Sequence, residues 1–318
     1  MKVSVIVRAR NEADFLPRLI EGLNAQDLIA EEFILVDSGS TDSTVDIALG
    51  AGWSVVHIAT EDFTFGRSLN VGCSQASGDI LVMLSAHVYP LRKDFLRNLV
   101  ASVSPSKRSV SYGRQVGNEQ THFSEKMLME QWFPAERVTD QGHAFTNNAN
   151  SCVSRTLWEE FKYDELITGL EDIDFSLRVM RSGGQVNYVG DAPVVHVHVQ
   201  TYRQIRERYR REAIAYRQIF AGETLTALRA LVLFAKNIVR DTQAAKTQKM
   251  LLPQLLPIIA FRFSQFFGAW SGFRDSLSNG SALLRKMYYP GSRYSAIPNL
   301  GFVESDLLIR YGNQNNGK

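Results

Sequence analysis

Apolar residues run through the first half of this chain in two rhythms. Four short, mostly apolar stretches, Val3 to Val7, Phe33 to Val36, Trp53 to Ile58 and Ile80 to Leu84, have the length of buried strands. After the first of them, Phe15, Leu16, Leu19, Ile20 and Leu23 recur at helical spacing. The second ends in "DSGSTDST", a cluster of turn formers and N-caps that leads into a helix through Ala48, stopped by Gly50 and Gly52. "FGRSLNVGCSQASG" supplies another helix, which feeds the fourth strand. Strand and helix in alternation predict an α/β body with a parallel sheet under helices. From Ser109 to Val199 short strands mix with helices, and from Tyr202 the signals are almost all helical. The expected division is therefore a body over residues 1–201 and a helical region over 202–318, ending in a polar tail, "GNQNNGK", expected to be disordered.

Composition changes this picture only at its edges. With 45 % hydrophobic residues in 318, a sizeable core is available, and a net charge of +2 gives no global field to attract nucleic acid, which is not expected as a partner. Cys73 and Cys152 can make no disulfide framework and fit no zinc spacing, which favours a reducing compartment. The apolar run before Arg8 is too short for the core of a signal peptide and reads as the first strand. Leu251 to Phe273 is the most apolar region. Pro253, Pro257 and Arg262 interrupt it, so it is expected to lie on a membrane or on the body rather than to span a bilayer.

Four polar clusters carry the candidate chemistry. Asp37 leaves the end of a buried strand, where a carboxylate is costly without a hydrogen-bonding task, and the Gly-Ser run after it offers backbone donors. A nucleoside would use both; capping of the next helix would need the carboxylate alone. The fourth strand delivers Ser85, Ala86 and His87 to the edge at which open α/β sheets bind ligands. In "GLEDIDFSLRVMRSGG", a helix ended by Gly183 and Gly184, three acids crowd the first turn: Glu171, Asp172 and Asp174. The helix dipole favours acids there, and their mutual repulsion raises at least one pKa, as a general base requires. In "APVVHVHVQ", strand alternation puts His196 and His198 on one face, as a metal-binding pair or as satisfied hydrogen-bonders. The glycine fingerprint of dinucleotide-binding domains is absent after the first strand, which reads "VRARNEADF". Arg8, Arg10 and Arg67 near element ends could face a diphosphate or sit in surface ion pairs.

In this order the clusters resemble the inverting family 2 glycosyltransferases of the glycosyltransferase A fold, over about the first two-thirds of the chain. "VSVIVRARNE" resembles the opening strand, "EEFILVDSGSTDST" the nucleotide-binding second strand, and "ASGDILVMLSAHVYP" the strand bearing the Asp-x-Asp motif. "GLEDIDFSLRV" resembles the Glu-Asp motif that carries the base, and "VVHVH" a late histidine strand. "FTFGRSLNVG" followed by "LSAHVYP" is similar to a bacterial rhamnosyltransferase-like subgroup. The resemblance implies a Rossmann-like, mixed but mainly parallel sheet with helices on both faces, residues 1–108 binding the sugar nucleotide and 109–201 the acceptor. It places Asp37 on base and ribose, lines the nucleotide pocket with Ala9, Asn11 and Glu12, and adds Ser38, Arg67, Ser85, Ala86, His87 and Arg114 to the donor site. Asp172, with Glu171 beside it, becomes the base that activates an acceptor hydroxyl. The implied donor is a UDP- or dTDP-sugar such as dTDP-rhamnose, and the implied acceptor a saccharide or lipid-linked saccharide of a bacterial surface glycan.

The chain departs from that family where Asp-x-Asp becomes Ser85-Ala86-His87. A divalent cation, Mn²⁺ or Mg²⁺, is the family's usual cofactor. Imidazole suits Mn²⁺ better than Mg²⁺, and His87 with His198 is the expected ligand pair. The competing reading is a protonated His87 on the diphosphate, with Arg67 or Arg114 completing a metal-free site. A non-catalytic nucleotide- or glycan-binding relative is the alternative function, opposed by the retained Glu171 and Asp172. Trp132, His143, Asn148 and Asn150 are pocket candidates without roles. "TYRQIRERYRREAIAYRQ" collects Arg203, Arg206, Arg208, Arg210, Arg211 and Arg217 beside Tyr202, Tyr209 and Tyr216. With the Leu251 to Phe273 segment it suggests an anionic membrane surface, hence a cytoplasmic protein peripheral on the inner face of the membrane. Packing on the body or a homo-oligomer interface would use the same helices.

Overall fold

The computed structural model describes residues 1–103, 106, 108–275 and 307–311; the polar tail lies outside the described residues. Eight strands form one sheet: β1 (Val3–Ala9), β2 (Glu32–Asp37), β3 (Ser54–His57), β4 (Ile80–Ser85), β5 (Val88–Pro90), β6 (Ser109–Val116), β7 (Asn150–Ser154) and β8 (Gln185–His196). Their order is β3-β2-β1-β4-β7-β6-β8-β5. The pairs β1–β2, β1–β4, β2–β3 and β6–β8 are parallel, and β4–β7, β6–β7 and β5–β8 antiparallel, a mixed and mainly parallel sheet.

The central strands are apolar on both faces because both faces are covered. Val3, Val5 and Val7 of β1 face Leu16 and Leu19 of α1 (Leu16–Asn24) and Phe95 and Leu99 of α4 (Phe95–Val100). Ile6 faces the opposite layer, where α3 (Phe65–Gln75), α6 (Arg155–Phe161) and α7 (Glu171–Arg181) contribute Leu69, Cys73, Trp158, Phe175 and Val179. Helix α2 (Thr44–Gly50) follows β2. Both cysteines are buried and free.

Pairing direction brings the polar clusters to one edge. β1, β2 and β4 are parallel, so Ala9, Asp37 and Ser85 all stand at their carboxyl ends. β7 runs the other way, and its first residue, Asn150, pairs with Leu84 at that same edge. β8 ends there too, with His196 opposite Val88, immediately after His87. His198 lies two residues past the end of β8 rather than within it, but the backbone stays in register, since Val197 N–H donates to the His87 carbonyl at 3.0 Å.

The helical part comprises α8 (Tyr202–Ile219), α9 (Ala227–Thr247) and α10 (Leu251–Arg274), packed on the body through α5 (Phe123–Trp132). Pro253 falls in the first turn of α10 and Pro257 inside it, so the prolines do not break the segment as its sequence suggests. Gly268 and Gly272 let α10 approach the α8 backbone at Arg206 and Arg210, where a side-chain carbon would clash. Arg262 is not at a surface beside the aromatics of α10. It is fully buried, with Nε and Nη2 on the Asp241 carboxylate at 2.7 and 2.9 Å and Nη1 on Gln265 at 2.7 Å.

Candidate active site

The turn after β2 is built around Asp37, which is 2 % exposed. Its carboxylate accepts from the N–H groups of Gly39 and Ser40 at 3.2 and 3.1 Å, and His57 Nδ1 lies 3.2 Å away. Gly39 has φ +90°, which only glycine adopts without strain. The facing loop is tied to this turn: Asn11 Oδ1 accepts from Thr41 N–H at 2.7 Å, Glu12 N–H donates to Thr44 Oγ1 at 2.8 Å, and Ser38 N–H donates to the Ala9 carbonyl at 3.1 Å. Ala9, Asn11, Glu12, Asp37 and Ser38 therefore form one cradle. Asp37 also caps its own turn.

Across the sheet edge, the N-terminus of α7 presents the acid pair. Glu171 is buried and meets Arg8 Nη1 at 3.1 Å. Asp172 is half-buried; its Oδ2 accepts from Asn148 N–H at 3.1 Å and Oδ1 from Ile173 N–H at 2.8 Å. Desolvation and the neighbouring Glu171 charge push the Asp172 carboxyl up to about 7, against those two backbone donors and Arg8. Asp174 is committed instead to Arg178, 2.8 Å away. Asp172 is thereby poised to exchange a proton near neutral pH.

Three histidines meet beside Ser85. Ligand atoms of His87, His196 and His198 all lie within 4.8 Å of one another. His196 Nδ1 stands 2.7 Å from Gln115 Oε1, His198 Nδ1 2.7 Å from Glu125 Oε1, and His87 Nδ1 2.9 Å from Glu12 Oε1. Each Nδ1 thus has an oxygen acceptor, the outer contact that orients a metal-binding imidazole. Arg208 Nη1 also lies 3.1 Å from His198 Nδ1, and the His196 and His198 Nε2 atoms face each other at 3.0 Å, close enough to share a proton or a cation. Desolvation disfavours the proton and keeps His196 well below the ordinary imidazole range; it also lowers His198, although Glu125 opposes it. A divalent cation fits this donor set. Burial alone would raise the Glu125 carboxyl; Arg208, within hydrogen-bonding distance at 2.6 Å, and His198 hold it well below the usual range.

The sequence reading is thus brought together in part. His196 joins His87 and His198 as the third nitrogen donor. Arg67 lies on α3 with Asp62 3.9 Å away, and Arg114 lies near Tyr188; neither bonds to His87. Asn148 gains a contact with the acid pair, Asn150 Nδ2 donates to the Arg114 and Ala192 carbonyls at 3.2 and 3.1 Å, His143 lies 3.0 Å from Gln141, and Trp132 is 44 % exposed on α5. Gln115 and Glu125 carried no signal in the sequence: a lone Gln on a strand and a lone Glu on a helix become imidazole partners only through the fold.

The sheet and this edge define a class, α/β transferases with the glycosyltransferase A fold. Residues 4–160 match the model of glycosyl transferase family 2, and this part of the chain belongs to the family 2 glycosyltransferases, with similarity to bacterial rhamnosyltransferases. It is 24 % identical over 222 residues to the O-antigen chain rhamnosyltransferase RfbN of Salmonella typhimurium, covering 66 % of this chain and 70 % of the relative. A mannosyltransferase of Pyrobaculum calidifontis, solved with GDP-Man and Mn²⁺, shares the fold at TM-score 0.55 and 17 % identity, over 83 % of this chain and 86 % of that one. TarS of S. aureus with UDP-GlcNAc does so at 0.52 and 17 %, over 83 % and 90 %.

Proposed function

We propose that this enzyme transfers a sugar, with inversion, from a UDP- or dTDP-sugar, dTDP-rhamnose foremost, to a saccharide or lipid-linked saccharide of a bacterial surface glycan. The observation that carries the reading is Asp172, a half-buried carboxyl raised to about 7 at the sheet edge that also bears the Asp37 cradle. The similarity to an O-antigen rhamnosyltransferase supports the choice of sugar and glycan.

In the proposed reaction the Asp172 carboxylate takes the proton of an acceptor hydroxyl. The acceptor oxygen bonds to the anomeric carbon as the bond from that carbon to the diphosphate oxygen breaks, and the electron pair leaves with the diphosphate. One displacement inverts the centre. Asp37, oriented by the Gly39 and Ser40 N–H groups, holds base and ribose, and Glu171 with Arg8 fixes the start of α7. His87, His196 and His198 would hold a divalent cation, their rings oriented by Glu12, Gln115 and Glu125. Bound there, the cation supplies charge neutralisation for the leaving diphosphate.

Calorimetric titration of UDP, dTDP and GDP, each with Mn²⁺ and again with EDTA, tests this. Tight binding of UDP or dTDP that EDTA abolishes is the expected result. Binding indifferent to EDTA would remove the cation from the reading, and binding of no nucleotide would leave a non-catalytic relative.

A further inference from the structure

Helices α9 and α10 carry apolar residues that the described fold leaves uncovered. On α10, Leu252, Leu256, Ile259 and Phe263 follow at intervals of three or four residues and so share one stripe; Leu252 is 89 % exposed and Phe263 55 %. On α9, Leu228, Val232 and Val239 lie along a similar stripe, exposed by 70, 56 and 56 %. Phe234, on another side of α9, has its ring centroid 6.5 Å from that of Phe263, which sets the two helices side by side. Single exposed apolar residues are ordinary on a protein surface, but a run of four along one side of a helix, with more on the helix beside it, marks a binding surface.

Charge indicates what covers it. From Thr224 to Arg274 the sole carboxylate is Asp241, which is buried against Arg262. Arg229, Lys236, Lys246 and Lys249 are all exposed on these helices or the turn between them. A second copy of the chain docked face to face would bring these cations together with no exposed carboxylate of this region to meet them. An anionic lipid headgroup layer matches both the apolar stripe and its basic flanks. Three arginines of α8 are engaged elsewhere: Arg208 is bound to Glu125, Arg210 to Asp275 at 2.7 Å, and Arg217 to the Asp275 carbonyl at 2.8 Å. No helix among the described residues is long and apolar enough to cross a membrane, so the contact is one of lying on the surface.

We propose that α9 and α10 form a docking face for an anionic bilayer, with Leu252, Leu256 and Phe263 entering the acyl boundary and the lysines at headgroup level. The proposal rests on the surface alone and not on the donor site. Flotation of the full chain with phosphatidylglycerol and with phosphatidylcholine vesicles, at low and high salt, tests it. Partitioning to phosphatidylglycerol vesicles is expected, weakened by salt, and reduced about tenfold or more by Leu256→Ser with Phe263→Ser. Lys236→Glu with Lys249→Glu, which touches no apolar residue, should remove the preference for phosphatidylglycerol. Unchanged thermal melting and UDP or dTDP binding would show that both variants remain folded. No partitioning of the wild type, or partitioning of both variants equal to that of the wild type, overturns the proposal and gives the face to another copy of the chain.

Discussion

Replacing Asp172 by Asn separates the cost of the charge from its use. Above pH 7 the fold holds a carboxylate that its surroundings push up to about 7 from an ordinary 3.8, which costs up to about 4 kcal/mol. The sign follows from proton binding. The folded chain keeps this proton to higher pH than the unfolded chain does, so the group's contribution to stability falls as pH rises from about 4 to about 7 and stays low above it. Asn carries no charge, but it offers one oxygen where the carboxylate accepts from Asn148 and Ile173 with two, a loss of about 1 kcal/mol. Asp172→Asn should therefore stabilise the protein at pH 8 by about 1–3 kcal/mol and leave it equal or weaker at pH 4. Activity should move the other way. A general base contributes about 10²–10⁴-fold, so turnover at pH 8 should fall by that factor. In the wild type, kcat/KM should fall about tenfold per pH unit below 7, reaching about 1 % of its plateau at pH 5. Thermal melts at the two pH values and a pH–rate profile check both halves. A variant that loses activity without gaining stability at pH 8 would mean that Asp172 is not held at raised pKa, and wild-type turnover would remove it as the base.

The other predictions follow from neighbouring groups. Glu171→Gln removes a negative charge that raises the Asp172 pKa, so the acid limb of kcat/KM should move to lower pH; a limb that stays put would discount the electrostatic coupling. His196→Ala should abolish Mn²⁺ binding by calorimetry as fully as His198→Ala does, because the two Nε2 atoms share one centre, and full retention by either variant would exclude that residue as a ligand. Glu125→Gln weakens the orientation of His198 and should lower cation affinity about 10–100-fold while leaving the Asp172-dependent pH limb in place. Arg262→Met leaves the buried Asp241 carboxylate without its two guanidinium hydrogen bonds, with only Arg240 Nε near it at 3.5 Å, and should cost about 3 kcal/mol in chemical denaturation, whereas a surface arginine would cost almost nothing.

Much of the sheet is legible in the sequence because period and length carry it. Ile80 to Leu84 is apolar on both faces, which suits a central parallel strand, and the acids in the first turn of α7 stand where a helix dipole favours them. Asp37, Asp172 and His87 stand out because each leaves an element end, where a polar group needs a reason. The C-terminal region is less legible. Arg262 within an apolar run looks like a surface cation or a break, since a sequence cannot show that Asp241, 21 residues earlier, turns toward it from a neighbouring helix.

Local pattern, then, determined the strands, the turns and the chemistry available at each element end, because these depend on residues within a few positions of one another. Tertiary structure decided which of those groups meet. Register between β5 and β8 seats His87 beside His196, its continuation past the end of β8 brings His198 to the same centre, and packing of α5 and α8 supplies Glu125 and Arg208. Such pairings depend on distances between residues tens of positions apart, which no period along the chain encodes.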